Sequence, residues 1–319
     1  MHRLVIDNDY HCGVNSQLTV YMNRKLQIVS GKGGVGKSMV AAALAQKQAA
    51  QGYNTLLVSF GQVQSQHPVY NKELSYEPQC IKENFHLAQV DARLVLKEYI
   101  RRKMVLSFLY QPVFDNTAVI KLLDALPLFN ELLSLGKLCD LVGEKSPFER
   151  VVFDAPATGH VKILFNVPEV ASKTLVAGPI YSNALEILDM LRDTQTTELV
   201  IVTLAEETPT REAYELFLFA KETAQVACDR LIVNRFTPAR FTDQELQNLG
   251  QWARADQAAA PLYDAARYET SIARTQATQL EWLCSKQLPV MTLPEITTES
   301  GDRLELVHEL VQHLDLAHE

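Results

Sequence analysis

Ser30-Gly31-Lys32-Gly33-Gly34-Val35-Gly36-Lys37-Ser38 sits between a short apolar run, Lys25-Leu-Gln-Ile-Val29, and an uninterrupted stretch of helix formers from Met39 to Gln51. The spacing from Gly31 to Gly36, Lys37 and Ser38 fits G-x-x-x-x-G-K-[ST], a strand-loop-helix element whose backbone N–H groups wrap an anion. Glycine lacks a Cβ and tolerates φ > 0, so successive amides in the Gly31, Gly33, Gly34, Val35, Gly36 run can converge on one phosphate at a helix N-terminus. Lys37 and Ser38 are then placed to reach the terminal phosphate and a Mg²⁺ ion, with Met39 completing the first turn. Ala41, Ala42, Ala43, Ala45, Ala49 and Ala50 allow close packing of the helix that follows. A flexible glycine linker would not be framed by two apolar elements. The loop also carries a second lysine, Lys32, which the ordinary pattern does not require.

Beyond the loop, short runs rich in Val, Ile and Leu recur: Leu26 to Val29, Thr55 to Phe60, His86 to Val90, Arg150 to Asp154, Leu199 to Leu204, Leu231 to Asn234 and Leu288 to Thr292. They show little polar alternation, as strands of a parallel sheet covered on both faces should. Helical stretches lie between them, at Ser182 to Asp193, Arg211 to Gln225 and Gly301 to Leu314. The plan is α/β, a doubly wound, mostly parallel sheet of the P-loop type, with ligands at the carboxyl ends of the strands. Two stretches interrupt the alternation. Residues 1–21 precede the first strand and read as an N-terminal extension to a domain spanning 22–319. Residues 91–149 contain no convincing strand, and read as an inserted helical subdomain. Its apolar residues, among them Leu94, Met104, Phe108, Leu123 and Leu132, either bury one another or form a groove for an apolar client segment.

At 319 residues and 47% hydrophobic content, the chain has enough apolar mass for one large core. No apolar run reaches the roughly 18 residues of a membrane span, so membrane association is expected to be peripheral at most. The first residues lack the pattern of a signal peptide, and a cytoplasmic location is the expectation. A net charge of −8 disfavours sequence-independent nucleic-acid binding. The five cysteines are dispersed without a C-x-x-C pair, which suggests reduced thiols rather than a metal site or a disulfide framework.

Val151-Val-Phe-Asp-Ala-Pro-Ala-Thr-Gly-His160 supplies the second half of the chemistry. An apolar strand that ends on Asp154 puts a carboxylate where a Mg²⁺-bound water beside the phosphate loop needs one. Pro156 and Gly159 shape a loop able to respond to a terminal phosphate.

Lys32-Gly-Gly-Val-Gly-Lys-Ser38 resembles the deviant Walker A of the septum-site, chromosome-partitioning, nitrogenase-iron and arsenite-transport ATPases. Phe153-Asp-Ala-Pro-Ala-Thr-Gly-His160 narrows the resemblance to the ArsA family, which includes ATPases that deliver tail-anchored membrane proteins. Val176-Ala-Gly-Pro-Ile180, Val202-Thr-Leu-Ala-Glu-Glu-Thr-Pro209 and Leu231-Ile-Val-Asn-Arg235 extend it over about residues 24–314, with most likeness to single-domain bacterial members. The resemblance implies an ATP- and Mg²⁺-dependent homodimer, or a heterodimer with a paralogue, that handles a client. In that pattern Lys32 reaches across the dimer to the partner's nucleotide, and Lys37 and Ser38 serve phosphate and metal in cis. Asp154 holds the metal's water, Asn234 hydrogen-bonds adenine, and Pro289 with Leu293-Pro-Glu295 flanks the base. Glu206 and Glu207 either line the dimer or nucleotide face or form a solvated strand end.

The chain also departs from the pattern. The strand Leu57-Val-Ser-Phe60 should end in an acid that polarises the attacking water, and Gly61 stands in its place. Such a loss costs about 10²- to 10⁴-fold in rate where a positioned base is removed. Gln62, Gln64 and Gln66 are the remaining candidates to orient water. Met39 replaces a phosphate-contacting threonine. The zinc-binding cysteine pair of the eukaryotic targeting factors and the cysteine cluster of the arsenite pumps are both missing, which removes arsenite as a substrate. The resemblance therefore leaves two readings: an ATPase coupled to a client, or a hydrolysis-poor subunit gated by ATP that pairs with an active paralogue.

Overall fold

β1 (Leu26–Gly31) is buried along its whole length because both of its faces are covered. The computed structural model describes residues 24–104, 128–298 and 300–316. The expected N-terminal extension, and Phe108 and Leu123 of the expected insertion, lie outside the described residues. The other strands are β2 (Thr55–Phe60), β3 (Gln79–Lys82), β4 (Phe85–Val90), β5 (Arg150–Asp154), β6 (Thr197–Leu204), β7 (Arg230–Phe236) and β8 (Val290–Pro294). They form one sheet in the order β3-β4-β2-β5-β1-β6-β7-β8. Every pairing is parallel except β3 with β4, an antiparallel edge that the sequence does not announce. The expected mostly parallel α/β architecture is therefore present.

Successive residues of one strand enter opposite cores. Ile28 packs with Val58, Phe153 and Ile201 on one face, whereas the adjoining Val29 packs with Leu57, Val152 and Val200 on the other. Two-sided burial explains why these strands read as continuous apolar runs. Each fully buried Leu, Ile or Val stabilises by about 1.5–3 kcal/mol, so the central strands are a stiff base for what projects from their ends.

Helix α1 (Lys37–Ala50) and the last described helix, α9 (Arg303–Leu316), cover the face that holds Val29. Small residues make that packing close: Ala41, Ala42, Ala43 and Ala45 are fully buried on α1, and Val307, Leu310 and Leu314 meet them from α9. Lys47 of α1 is also buried, and its ammonium donates to Leu314 O at 2.6 Å, near the carboxyl end of α9. A cation there is favoured by the helix dipole and replaces the lost water.

The opposite face is covered by α3 (Phe129–Val142), α4 (Thr158–Thr174), α5 (Pro179–Arg192), α6 (Glu207–Phe219) and α8 (Ala260–Ser285). Helix α2 (Ala92–Met104) packs on α3, and α7 (Asp243–Ala255) forms a hairpin with α8. At the amino ends of β6 and β7, far from the phosphate loop, the buried Glu198 carboxylate receives Gln27 Nε2 at 3.0 Å and Arg230 Nε at 3.1 Å. That buried charge is paired and needs no ligand. Cys80, Cys139 and Cys228 are free thiols as expected, but Cys284 is disulfide-bonded, against the expectation that all five are reduced. No described helix is long and apolar enough to cross a membrane.

Candidate functional site

β1 ends on Gly31 in the middle of the sheet, and the chain then turns through Lys32–Gly36 into α1. A Cβ on Gly31 would lie 2.0 Å from Val202 O of β6, so only glycine lets the strand close against its neighbour. Gly34 and Gly36 have φ of 88° and 94°, in the left-handed region that side chains disfavour. Gly36 is the N-cap of α1 and offers no capping side chain, so the helix start is left to an anion. Gly33 and Gly34 face open space where a Cβ would stand, consistent with a cradle that a ligand fills.

β5 runs beside β1 and brings Asp154 into register with Val29. Ser30 Oγ donates to Pro156 O at 2.7 Å, which ties the loop after Asp154 to the root of the phosphate loop. Asp154 is half-buried, and the Ser38 hydroxyl and the Lys37 ammonium are the polar groups that act on its carboxylate. Burial pushes the Asp154 carboxyl up from its ordinary range, and Ser38 and Lys37 partly restore it. Burial likewise lowers Lys37, and Asp154 opposes that shift. Both charges have lost water and are only partly repaid by each other, a state that a phosphate and a divalent cation would relieve. Ser38 hydroxyl and Asp154 carboxylate are hard oxygen donors of the kind Mg²⁺ takes, usually with waters filling the remaining positions. Lys37 Nζ donates to Lys32 O at 3.1 Å and so lies over the cradle.

A cavity of about 440 Å³ opens beside the first turn of α1, between Met39, Asn234, Pro294 and Ile296. β7 reaches it through a bulge: the register with β8 shifts between Val233 and Phe236, and Arg235 takes φ of 54°. A bulge re-aims strand side chains. Asn234 Nδ2 donates to Val35 O at 2.9 Å, which fixes the amide's orientation and leaves Oδ1 as the polar atom open to a ligand. Gly36 is needed here too, because a Cβ on it would meet Asn234 Nδ2 at 2.3 Å.

Gly31, Gly33, Gly34, Val35, Gly36, Lys37, Ser38, Met39, Asp154 and Asn234 are thus gathered on the carboxyl-end side of β5, β1 and β7. Pro289 is not. It precedes β8, and its carbonyl accepts from Leu231 N at the far end of the strand. Parallel strands put their ligands at their carboxyl ends, so Pro294, which lines the cavity, takes the place expected of Pro289. The Leu293-Pro-Glu295 run contained that signal.

Lys32 Nζ pairs with Glu212 Oε1 of α6 at 2.7 Å, and Thr158 Oγ1 donates to Glu212 Oε2 at 3.2 Å. Hydrogen bonding from Lys32 holds the Glu212 carboxyl below its ordinary range. Glu206 and Glu207 line a separate hollow with Lys32 and Gly33. Glu212 escaped sequence reasoning because an acid one turn into an amphipathic helix reads as solvated surface.

Gly61 follows β2 directly, where Ser59 of β2 pairs with Asp154 of β5. A Cβ on Gly61 would lie 2.4 Å from Gln89 Nε2, while Gln89 Oε1 accepts Ser65 Oγ at 2.6 Å. The segment after Gly61 folds back on α1. His67 is 3% exposed, and its Nδ1 accepts from Val69 N at 3.1 Å and Tyr70 N at 3.3 Å. Tyr70 OH accepts from Gln46 Nε2 of α1 at 2.8 Å.

The His67 turn requires a neutral imidazole, and burial lowers its pKa to about 4. The unfolded chain, near its ordinary 6.5, therefore takes up the proton first on acidification. Stability is complete above about pH 6.5 and is lost as pH falls toward 4, at about 1.4 kcal/mol per unit. His67→Asn keeps an acceptor for the turn without a titrating group. Urea titrations at pH 7 and about pH 5 should show the unmodified protein losing about 2 kcal/mol more than this variant. Parallel losses would remove His67 as the source.

A glycine cradle at the end of a central parallel strand, with a half-buried acid at the end of the next, defines a P-loop nucleoside-triphosphatase fold. Residues 24–185 match the family model described as anion-transporting ATPase, ArsA_ATPase, and the chain belongs to that family. ATPase BagA of Mycobacterium tuberculosis is 29% identical over 235 residues, covering 70% of this chain and 68% of that protein. ATPase GET3B of Arabidopsis thaliana is 27% identical over 274 residues, covering 69% and 66%. ATPase ARSA1 of Chlamydomonas reinhardtii is 26% identical over 304 residues, covering 76% of this chain and 39% of that protein.

Proposed function

We propose that this chain binds ATP with Mg²⁺ between two subunits, its own copies or itself and a paralogue, and couples the nucleotide state to capture or delivery of a client with an apolar segment. The observation that carries the nucleotide reading is the glycine cradle at the start of α1, with Lys37 Nζ drawn over it onto Lys32 O at 3.1 Å and Asp154 in register with Val29 at its root. Lys37 and the first amides of α1 hold phosphate charge, Ser38 and Asp154 orient the metal side, and the apolar walls at Pro294 and Ile296 accept a flat base. Bound Mg²⁺ would neutralise developing phosphate charge. The client part rests on the family resemblance and on the apolar residues of 91–149 as an inserted subdomain.

The Oδ1 of Asn234 sets the base preference. An acceptor there matches the exocyclic amine of adenine and opposes the carbonyl at the same place in guanine. Equilibrium binding should show ATP held about tenfold or more tightly than GTP, a difference of about 1.4 kcal/mol, and Asn234→Ala should bring the two together. Equal affinities in the unmodified protein would remove the adenine assignment, and absence of ATP binding in the presence of Mg²⁺ would remove the whole reading.

Gly61 favours the second reading, a hydrolysis-poor subunit gated by ATP. No carboxylate follows β2, and the Gln89 amide occupies the space beside Gly61. Among the glutamines expected to substitute, Gln64 takes a left-handed φ of 70° and the backbone of Gln66 is bridged to Glu73, while the side chains of Gln62, Gln64 and Gln66 are all exposed.

A further inference from the structure

Part of the lining of the nucleotide cavity is built from two parts of the chain that no motif marks. One is the Pro68–Val69 turn after β2, and the other is Arg303 at the start of α9. Arg303 Nη1 donates to Pro68 O, which joins the two into an arch. Arg303 has no ion pair among the described residues, so most of its five N–H donors are free for a ligand. The turn beneath it is held by the hydrogen bonds that Val69 N and Tyr70 N donate to His67 Nδ1 and by the docking of Tyr70 on Gln46. A guanidinium with one arm anchored on a fixed carbonyl loses little freedom on engaging a ligand.

The chemistry of the cavity orders its two ends. Lys37 and Ser38 mark the phosphate end, whereas Pro68, Val69, Pro294 and Ile296 give apolar walls suited to a flat heterocycle. Arg303 joins the second group through its bond to Pro68 O, and a planar guanidinium stacks on aromatic faces as well as donating to hydroxyls. We propose that Arg303 and Pro68 form a jaw that holds the base and ribose of the bound nucleotide, making Arg303 a specificity-determining residue for the nucleoside end. This rests on the nucleotide reading above. It gives the segment after Gly61 a role in gripping the nucleoside, in place of supplying a catalytic acid.

The test separates the two ends of the ligand. Release of a fluorescent ADP is followed by stopped flow, and inorganic tripolyphosphate, which has no nucleoside, is titrated by calorimetry. Arg303→Ala should speed ADP release about tenfold, the size of one lost charge-assisted contact, and leave tripolyphosphate affinity unchanged. Arg303→Lys keeps the charge but not the planar fork, and should stay closer to the alanine variant than to the unmodified protein. Equal weakening of ADP and tripolyphosphate, or ADP release unaltered by Arg303→Ala, overturns the jaw. No ADP binding by the unmodified chain overturns the nucleotide reading and the jaw together, whereas intact binding with unaltered release overturns the jaw alone.

Discussion

Gly61→Asp is expected to raise single-turnover ATP hydrolysis by about 10²- to 10⁴-fold, the range attached to a positioned base. Gly61 stands one residue past β2, beside the strand that ends in Asp154, so a carboxylate there would face the water attacking a phosphate held by Lys37. The substitution is not free of cost. The new Cβ falls 2.4 Å from Gln89 Nε2, and the φ of 156° at Gly61 has to relax toward the extended region. The clashing atom is the far end of a flexible side chain, so shortening it should help. Gly61→Asp combined with Gln89→Ala is therefore expected to exceed Gly61→Asp alone. Brisk hydrolysis by the unmodified chain would rule out the hydrolysis-poor reading. No gain in either variant, with ATP binding intact, would show that Gly61 does not occupy the position of a missing base.

The same site shows what the sequence could and could not reveal. The placement of Ser30 to Ser38 and of Asp154 was legible because it is local: a strand, a glycine turn, a helix and a strand-end acid each have a short-range signature. β2 and β5 were legible to the residue because burial on both faces leaves no polar alternation to blur their ends. β3, with only four residues and every other one exposed, carried no such signal, since an edge strand is fixed by its partner β4 rather than by its own composition. Helices α7 and α8 were missed for a related reason. α7 has no buried residue, and α8 reads as polar and alanine-rich over 26 residues. Glu212, Pro68 and Arg303 were invisible because they join the site only through tertiary contacts, from 180 residues away for the Lys32–Glu212 pair and 235 for Arg303 with Pro68. Pro289 was misplaced by one strand length, because a resemblance in short motifs does not say which proline of a strand stands at its carboxyl end.

Lys32→Ala is expected to leave ATP affinity within about twofold and to abolish ATP-dependent dimerisation, because the lysine is assigned to the partner's nucleotide and not to its own. In the monomer its ammonium is held by Glu212 at 2.7 Å, with both side chains about one-third exposed, at 34% and 33%. An ion pair that open to water is worth about 0–1 kcal/mol. A lysine donating to phosphate oxygen in a closed interface gains about 1.5–3 kcal/mol, so the monomer contact yields when a partner's nucleotide is presented. Glu212 therefore acts as a weak hold on the free lysine. Glu212→Gln should release it, and move the half-point of dimerisation to an ATP concentration lower by up to about fivefold, a change of about 1 kcal/mol. Light scattering across an ATP titration reads both variants. Dimerisation unchanged by Lys32→Ala would sink the assignment across the interface, and a large loss of ATP affinity by the monomer would place Lys32 on its own nucleotide instead. A rise in the half-point with Glu212→Gln would show that the carboxylate supports the dimer rather than opposing it, through Thr158 at the start of α4, which the same carboxylate also binds.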